Sequence, residues 1–209
     1  MIYTVGATRN AFLPMGDFRV KYLVDQEHEG DNIDRLNPYY CELTGLYYMW
    51  KHDTDDIVGL EHYRRYFYTG NRQLSREDAR DMLSRDDIML IRHRHPRNRT
   101  TYHWFIGAQK LPDLEKWILC IDRVCPGLMP VFRDYLNDNR VYICNMLVTS
   151  REVLDEWCSW LFPMLSLYDR VAGLGQFNRR IDGYLAEHTL GAWCLWKKLK
   201  IADGQMHMI

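Results

Sequence analysis

The sequence predicts an α/β protein in which short buried strands alternate with helices. Short apolar runs such as Ile57 to Leu60 are separated by segments whose apolar residues recur at helical spacing. The composition is that of a globular protein, with 47% hydrophobic and 26% charged residues. A length of 209 residues suits one domain, so we expect a single unit over residues 1–209.

The strands and helices can be placed in order along the chain. Apolar alternation and short apolar runs predict five strands, at Ile2 to Val5, Phe18 to Val24, Ile57 to Leu60, Ile88 to Ile91 and Val141 to Val148. Helical spacing predicts six helices, at Cys41 to Trp50, Ser75 to Leu83, Leu111 to Val124, Leu128 to Leu136, Ser150 to Leu167 and Phe177 to Leu199.

Two of these helices have sequence signals at their starts. Asn37-Pro38 precedes the first helix, where proline is well tolerated. Ser75 with Asp78 forms a capping box in which aspartate takes the place of glutamate. Turn-forming and polar residues predict loops at Glu29 to Asn32, Arg92 to Tyr102 and Gly173 to Gly175.

Charge and cysteine content narrow the class of protein. The net charge is −1, which argues against nucleic-acid binding driven by counterion release. The six cysteines form no CxxC pair and no zinc-finger spacing, so we expect reduced buried thiols in a cytoplasmic protein. No basic and apolar leader opens the chain, and no apolar run reaches the roughly 20 residues that cross a bilayer. The aromatic-rich segment Trp157 to Leu167 is better explained as helix core than as membrane contact.

The segment from Glu61 to Phe67 directly follows the buried run Ile57 to Leu60. Open α/β sheets bind ligands at the carboxyl ends of their strands. Two adjacent arginines in this segment predict a diphosphate clamp, since guanidinium pairs with phosphate through two hydrogen bonds. Histidine titrates near neutral pH, so His62 is a candidate general acid or base. We assign the donor-binding role here to Glu61, Tyr63, Arg64 and Arg65.

A metal ion has weaker support in the sequence. Asp53-Thr54-Asp55 has the DxD spacing with which many nucleotide-sugar enzymes hold a divalent ion. It precedes the strand, at the end opposite the expected ligand crevice, so we interpret it as a helix-to-strand turn. Glu61 lies at the correct end, but Tyr63 stands where a second carboxylate would be needed. Mn²⁺ or Mg²⁺ is compatible with the sequence, which offers no ligand set for it.

Two polar positions upstream have two interpretations each. Gly30 to Ile33 is either a turn alone or a turn that places Asp31 and Asn32 against a sugar or base, and we include both side chains in the predicted donor site. Glu42, at the start of an apolar helix, either complements the helix dipole or contacts the ligand.

The segment Arg92 to Arg99 carries four arginines and two histidines. It suits a nucleotide diphosphate, an anionic lipid surface or RNA, the last favoured by the nearby Tyr102, His103 and Trp104. The near-neutral charge of the chain disfavours RNA. We predict a mobile loop that closes over the diphosphate, with Arg94 and Arg97 contacting the donor.

The last predicted helix carries a second pair of charges. Arg180 and Glu187 are seven residues apart and therefore share one face, two turns apart. Gly183 between them allows another element to approach closely. A buried ion pair is one interpretation, and a catalytic carboxylate is the other. Glu187 is accordingly the second candidate base beside His62.

Several of these motifs together resemble the DUF4422 family. The match runs through Gly30 to Ile33, Asn37 to Thr44, Gly59 to Phe67, Asp113 to Glu115, Asn145-Met146, Trp160 to Pro163 and Gly183 to Glu187. It covers most of the chain. The resemblance implies a GT-A-like, Rossmann-like α/β fold, with a mixed sheet flanked by helices and inserted helices in the C-terminal half.

The resemblance also implies a function. Similar proteins are glycosyltransferases of bacterial capsule, exopolysaccharide and lipopolysaccharide O-antigen synthesis, which use a nucleotide-sugar donor and a growing glycan acceptor. It supplies no well-defined catalytic residue, so the site roles are our own inference on matching positions. On that ground Asn145 joins the predicted donor-binding residues.

Two departures from the family pattern bear on these expectations. The family usually has an extra strand ahead of the segment that resembles Ile2 to Ala7, and that strand helps to shape the base pocket. Its absence implies a shifted start, a truncation or a weakened donor site. Arginine often follows the glutamate of the last helix, whereas this chain has His188, which implies an altered ion pair or donor contact.

Taken with the site residues, the resemblance implies a hexosyltransferase that moves a sugar from a UDP-sugar, with galactose forms among the candidates, to a lipid-linked bacterial surface glycan. We expect transient contact with the inner membrane face and no nucleic-acid partner beyond the nucleotide. Two alternatives stay open. One is a degenerate relative that binds a sugar nucleotide or glycan without turnover, and the other is an RNA-binding module that uses the basic loop.

Overall fold

The computed structural model describes residues 1–108, 111–174 and 179–209. Within these ranges nine strands form one sheet. They are β1 (Ile2–Gly6), β2 (Arg19–Leu23), β3 (Ile57–His62), β4 (Arg65–Thr69), β5 (Arg72–Gln73), β6 (Ile88–Arg94), β7 (Arg140–Ser150), β8 (Ile201–Asp203) and β9 (Gln205–Met208).

The sheet is mixed, with the central order β2-β1-β3-β7-β6-β8. Strand β1 is parallel to both β2 and β3, so the carboxyl ends of these three strands meet at one edge. Strand β7 is antiparallel to β3 and to β6, and β8 is parallel to β6. Strands β4, β5 and β9 form an antiparallel extension that begins at the end of β3. The predicted α/β class with a mixed sheet is confirmed.

Strand β3 lies in the middle of the sheet, as its apolar sequence predicts. Its first five residues are buried, and Gly59 lets β7 approach closely, because a Cβ there would lie 2.9 Å from the carbonyl oxygen of Leu147. The strand continues past Leu60 to His62, turns at residues 63–64 and returns as β4. The segment that follows the predicted strand is therefore a tight hairpin, whose charged and aromatic residues alternate between two faces.

Eight helices are present within the described residues. They are α1 (Asn37–Tyr40), α2 (Leu43–His52), α3 (Arg76–Leu83), α4 (Thr101–Ala108), α5 (Leu111–Val124), α6 (Met129–Asn137), α7 (Arg151–Ala172) and α8 (Ile181–Trp196). The predicted capping box at α3 is present: the Ser75 hydroxyl accepts from the Asp78 N–H, and the Asp78 carboxylate accepts from the Ser75 N–H.

The basic loop is shorter than predicted and spans residues 95–100. Strand β6 extends to Arg94 and α4 begins at Thr101. The residues between them are tied to the chain before β7, since the His95 N–H donates to the Asn139 carbonyl at 2.7 Å and the Thr101 N–H to the Asp138 carbonyl at 2.8 Å. Backbone pairing with a distant segment, which composition does not reveal, sets these boundaries.

The end of the chain also differs from expectation. Helix α8 ends at Trp196 instead of Leu199, and the chain passes through Lys198 at a φ of 59° into the unpredicted strands β8 and β9. The predicted helix start at Phe177 and the predicted loop residue Gly175 lie outside the described residues.

Two hydrophobic cores flank the sheet. The larger one joins α2, α5, α6, α7 and α8 to the sheet and buries Trp117, Trp157 and Trp193 almost completely. The smaller one includes Phe67 from β4 and Met82 from α3. The aromatic-rich part of α7 is thus core, as predicted. No helix in the described ranges combines the length and the apolarity needed to cross a membrane.

The Asp53-Thr54-Asp55 turn lies between α2 and β3, at the amino end of β3. The Asp55 carboxylate accepts from the Met1 amino group at 2.8 Å and from the Arg76 guanidinium at 2.9 Å. The hydrogen bond from Arg76, followed by the one from the Met1 amino group, lowers the pKa of Asp55 to about 2. The DxD sequence therefore serves as a structural turn at the edge of the sheet opposite the carboxyl end of β3.

Candidate functional site

A pocket of about 460 Å³ lies at the carboxyl end of β3. Four parts of the chain meet there: the β3–β4 hairpin, the middle of β7, the start of α8 and the junction of α1 with α2. This is the edge of the sheet where α/β proteins bind ligands. The pocket is lined by Cys41, Glu42, His62, Tyr63, Arg64, Arg65, Cys144, Arg180, Gly183, Tyr184 and Glu187.

Strand β7 is distorted where it passes the pocket. Its register against β6 shifts between Tyr142 and Leu147. Within this bulge Cys144 and Asn145 adopt left-handed backbone conformations, with φ of 71° and 51°. Residues with a Cβ adopt such conformations at an energetic cost, and strain of this kind concentrates at functional sites. The bulge directs the peptide groups of Cys144 out of the sheet ladder and toward the pocket.

The backbone of Cys144 connects the two candidate bases. Its N–H donates to Oε2 of Glu187 at 2.7 Å, and its carbonyl oxygen lies 2.6 Å from Nε2 of His62. His62 comes from the end of β3 and Glu187 from the second turn of α8. The structure thus brings together two residues that are 125 positions apart in the sequence, numbered 62 and 187.

The environment of Glu187 favours its protonated form. Burial, followed by the negative charge of Glu42, raises the pKa of Glu187 to about 7. The Cys144 N–H and the positive charges of Arg65 and Arg180 oppose this shift. A carboxyl group that changes charge near neutral pH is suited to proton transfer.

Three arginines supply positive charge to the pocket. The side chains of Arg64 and Arg65 form no ion pair or hydrogen bond with the described residues. Arg64 is exposed, with its guanidinium 5.6 Å from the centre of the Tyr63 ring. Arg180 Nε lies 3.3 Å from Sγ of Cys41. Fixed guanidinium groups beside a hydrogen-bonded carboxyl and an imidazole can bind an anion and leave proton transfer to the neighbouring groups.

The two cysteines of the pocket are not activated nucleophiles. Burial, followed by the charge of Glu187, raises the pKa of Cys144 to about 12. Burial, followed by the charge of Glu42, raises the pKa of Cys41. Both thiols therefore stay protonated near neutral pH.

Asn145 lies behind the pocket wall and does not line it. Its side chain is 3% exposed, and its amide nitrogen donates to Glu42 Oε1 at 2.8 Å and to the Gly183 carbonyl at 2.9 Å. It therefore connects the β7 bulge with α8 and with the start of α2.

Glu61, predicted as a donor contact, lies in the interior on the opposite face of β3 from His62. It is fully buried and accepts from Arg19 Nε at 2.7 Å, from the Thr4 hydroxyl at 2.9 Å and from the Phe67 N–H at 3.1 Å. Neighbouring residues of a strand point to opposite faces, so Glu61 and His62 cannot share one pocket while β3 remains extended.

The turn residues Asp31 and Asn32 also lie outside the pocket lining. Asp31 accepts from the Tyr47 hydroxyl at 3.0 Å, and Asn32 donates to the His28 carbonyl at 2.6 Å. Gly30 supplies the required φ of 80°. These contacts shape the chain ahead of α1.

The basic residues Arg94 and Arg97 are exposed and do not line the pocket. Arg97 instead borders a separate cavity together with Asp134 and Asp138. The contact of Arg94 and Arg97 with a donor therefore stays a prediction. The positions of β6 and α4 do not favour such a contact.

Several pocket residues were not assigned to the predicted site, although ligand contact was one of two interpretations for Glu42: Cys41, Glu42, Cys144, Arg180, Gly183 and Tyr184. The seven-residue spacing to Glu187 was the available signal for Arg180. No sequence signal marked the Cys144 bulge, because it places non-glycine residues in a conformation that glycine usually adopts. His188, the departure from the family pattern, is buried, and its Nδ1 bonds to the Tyr184 carbonyl at 2.8 Å.

The pocket offers two carboxylates for a metal ion, Glu42 and Glu187. One oxygen of each already accepts a hydrogen bond, from Asn145 and from Cys144 respectively. No group of three or more His, Cys, Asp or Glu residues in the described ranges is arranged to hold a metal ion. These residues do not form the oxygen-rich ligand set that Mg²⁺ takes, so Mn²⁺ or Mg²⁺ stays a prediction for binding measurements.

Comparisons with known proteins agree with this architecture. The chain is similar to the apo structure of WbbM, a bifunctional glycosyltransferase, with a TM-score of 0.85 and 21% sequence identity. The superposition covers 100% of this chain and 45% of that one, so the chain spans less than half of that structure, and the likeness is one of fold. No curated protein matches the chain. The profile of DUF4422, a domain of unknown function, matches residues 4–198. The protein therefore belongs to the DUF4422 family.

Proposed function

We propose that the protein is a glycosyltransferase of the hexosyltransferase type. It transfers a sugar from a nucleotide-sugar donor, a UDP-sugar with galactose forms among the candidates, to a growing bacterial surface glycan of the capsule, exopolysaccharide or lipopolysaccharide kind. The likeness in fold to a bifunctional glycosyltransferase supports this assignment.

The observation that carries the proposal is the pair of guanidinium groups on Arg64 and Arg65. They are unpaired with the described residues and lie in one pocket with His62 and Glu187. Unpaired arginines at the carboxyl end of a strand fit a diphosphate, which bidentate hydrogen bonds recognise. Arg180 adds a third positive charge from α8.

In the proposed reaction an acceptor hydroxyl oxygen bonds to the anomeric carbon of the donor sugar. The bond from that carbon to the diphosphate oxygen breaks, and its electron pair leaves with the nucleoside diphosphate. Arg64 and Arg65 stabilise the charge that develops on the leaving group. In an inverting reaction the hydroxyl proton passes to a base, for which the pocket offers His62 and Glu187.

The acceptor in this proposal is a lipid-linked glycan at the inner face of the membrane. A lipid-linked acceptor brings the protein into transient contact with the membrane surface, at which the lipid part of the acceptor remains. The pocket is open to solvent beside the exposed Arg64, so a long glycan chain can enter while its lipid stays outside.

A panel of UDP-sugars tests the proposal. Transfer to a lipid-linked glycan, or slow hydrolysis of one donor, supports it. A donor-dependent thermal shift without any turnover would instead identify a degenerate binding protein. Strongly salt-dependent RNA binding with no response to any UDP-sugar would replace the proposal with the RNA-binding alternative.

A further inference from the structure

We infer that Asn145 is a positioning residue, and that the peptide it supports presents His62 to the acceptor as a base through Nδ1. This inference rests on the proposed glycosyl transfer and names how its base is prepared. Asn145, predicted as a donor contact, thereby takes a supporting role in the structure.

The hydrogen bond of His62 defines its tautomer. Nε2 lies 2.6 Å from the carbonyl oxygen of Cys144, and a carbonyl oxygen only accepts hydrogen bonds. Nε2 must therefore carry the proton. In the neutral imidazole Nδ1 then holds the free lone pair, which is the form that a base needs.

The other ring nitrogen of His62, Nδ1, is accessible. This atom has no hydrogen-bond partner among the described residues, and it is not one of the buried polar atoms that lack a partner. The His62 side chain is half-buried and lines the pocket. Nδ1 is therefore open to solvent on a ring that faces the candidate site.

Hydrogen bonds from neighbouring groups hold the Cys144 carbonyl in place. Cys144 and Asn145 occupy left-handed conformations that neighbouring groups must stabilise. The Asn145 amide supplies that support through its hydrogen bonds to Glu42 Oε1 and to the Gly183 carbonyl. The Cys144 N–H adds a third bond, to Glu187. Asn145 thus acts on the reaction through the Cys144 carbonyl and His62.

The same contacts distinguish His62 from Glu187. Glu187 uses Oε2 to accept from Cys144, and burial favours its neutral form. It therefore serves to hold the bulge. In the transfer step the acceptor hydroxyl proton moves to Nδ1 of His62, the hydroxyl oxygen bonds to the anomeric carbon, and the diphosphate departs with the electron pair of the broken bond.

Nitrogen-15 NMR of the histidine-labelled protein tests the tautomer without any substrate. Spectra recorded between about pH 5 and about pH 9 span the titration range of histidine. We expect the neutral form of His62 to carry its proton on Nε2. His62→Gln identifies the His62 signals by their absence. A neutral His62 protonated on Nδ1 would overturn the inference, whether or not the protein transfers sugar.

Two variants then test the roles. His62→Gln keeps an amide N–H for the Cys144 carbonyl but removes the base, so kcat should fall by about 100- to 10,000-fold with donor affinity unchanged. Asn145→Gly tolerates the left-handed backbone but loses both amide hydrogen bonds. It should lower kcat by roughly ten- to a hundredfold with an unchanged KM for the donor, and it should yield a mixture of His62 tautomers.

His103→Gln is the matched control, since His103 is exposed on α4 and contacts Thr100, which borders the separate cavity beside Arg97. It should leave kcat unchanged. Two results for Asn145→Gly would contradict the positioning role and support a donor contact instead. One is a single Nε2–H tautomer of His62, and the other is a raised KM for the donor with kcat maintained. Absence of turnover in the unmodified protein would defeat the proposed function, while the NMR result would still decide the tautomer and its dependence on Asn145.

Discussion

The N–H of Cys144 donates a 2.7 Å hydrogen bond to Oε2 of Glu187, and this contact fastens the bulge of β7 to α8. The contact holds a titrating carboxyl in the same pocket as His62, the candidate base at the carboxyl end of β3. The pocket therefore depends on the relative placement of two elements that are distant in sequence. Changes to either partner are expected to alter the pocket without disrupting the sheet.

Replacing Arg64 and Arg65 together with alanine should weaken UDP-sugar binding at least about a hundredfold. Each guanidinium contributes charge-assisted hydrogen bonds to the diphosphate, worth roughly 1.5 to 3 kcal/mol apiece. Isothermal titration calorimetry measures the loss. Arg80→Ala with Arg85→Ala is the matched control, since it removes two exposed arginines, one on α3 and one in the turn that follows it. Undiminished affinity in the Arg64/Arg65 variant would exclude the clamp.

Glu187→Gln should change the pH dependence of stability. The pKa of Glu187 is about 7 in the folded protein, above its ordinary 4.5, so folding favours the protonated form. The native protein therefore loses stability as the pH rises from about 4.5 to about 7, by up to about 3 kcal/mol, and the variant does not. Glutamine keeps the oxygen that accepts from Cys144.

Urea denaturation of both proteins at about pH 5 and about pH 8 checks this expectation. The free energies of unfolding should be similar at the lower pH, and the variant should be more stable at the higher one. Glu115→Gln, at an exposed site on α5, should show no such difference. An equal change at both pH values would contradict the raised pKa.

Glu61→Gln should reduce stability and leave donor affinity unchanged. The substitution leaves the buried Arg19 without its charged partner, which costs about 3 kcal/mol or more. Thermal unfolding measures the loss of stability. Calorimetry at a temperature where the variant is folded measures donor affinity. Arg19→Met combined with Glu61→Leu should recover part of the stability, because no unpaired charge remains. Weaker donor binding at unchanged stability would place Glu61 back in the site.

Asp55→Asn tests the interpretation of the DxD sequence as a turn. The pKa of Asp55 is about 2, below its ordinary 3.8, so its ionised form stabilises the protein above about pH 3.8 and this contribution is lost as the pH falls through about 2. The variant should lose about 1 kcal/mol at neutral pH, a modest figure because the side chain is 30% exposed. Thermal unfolding at neutral pH and near pH 2.5 should show the deficit shrinking. A loss of metal-dependent activity would revive the metal-site interpretation.

The sequence by itself determined the local elements and the edge of the sheet where the pocket lies. The apolar run at Ile57 to Leu60 predicted the central strand, and helical spacing predicted most of the helices that build the cores. The adjacent Arg64 and Arg65 and the spacing of Arg180 from Glu187 identified charged groups that do line one pocket. These predictions succeeded because burial and helical periodicity depend on residues that are close together in the sequence.

Only the tertiary structure decided which polar side chains meet. Glu61 follows Leu60 as closely as His62 does, yet strand alternation sends it into the core against Arg19. Packing between β3, β7 and α8 produces the bulge at Cys144. The same packing brings the Cys144 N–H to Glu187 and the Asn145 amide to the Gly183 carbonyl. Such contacts depend on the register between distant segments, and register is set by the whole sheet, not by the local sequence.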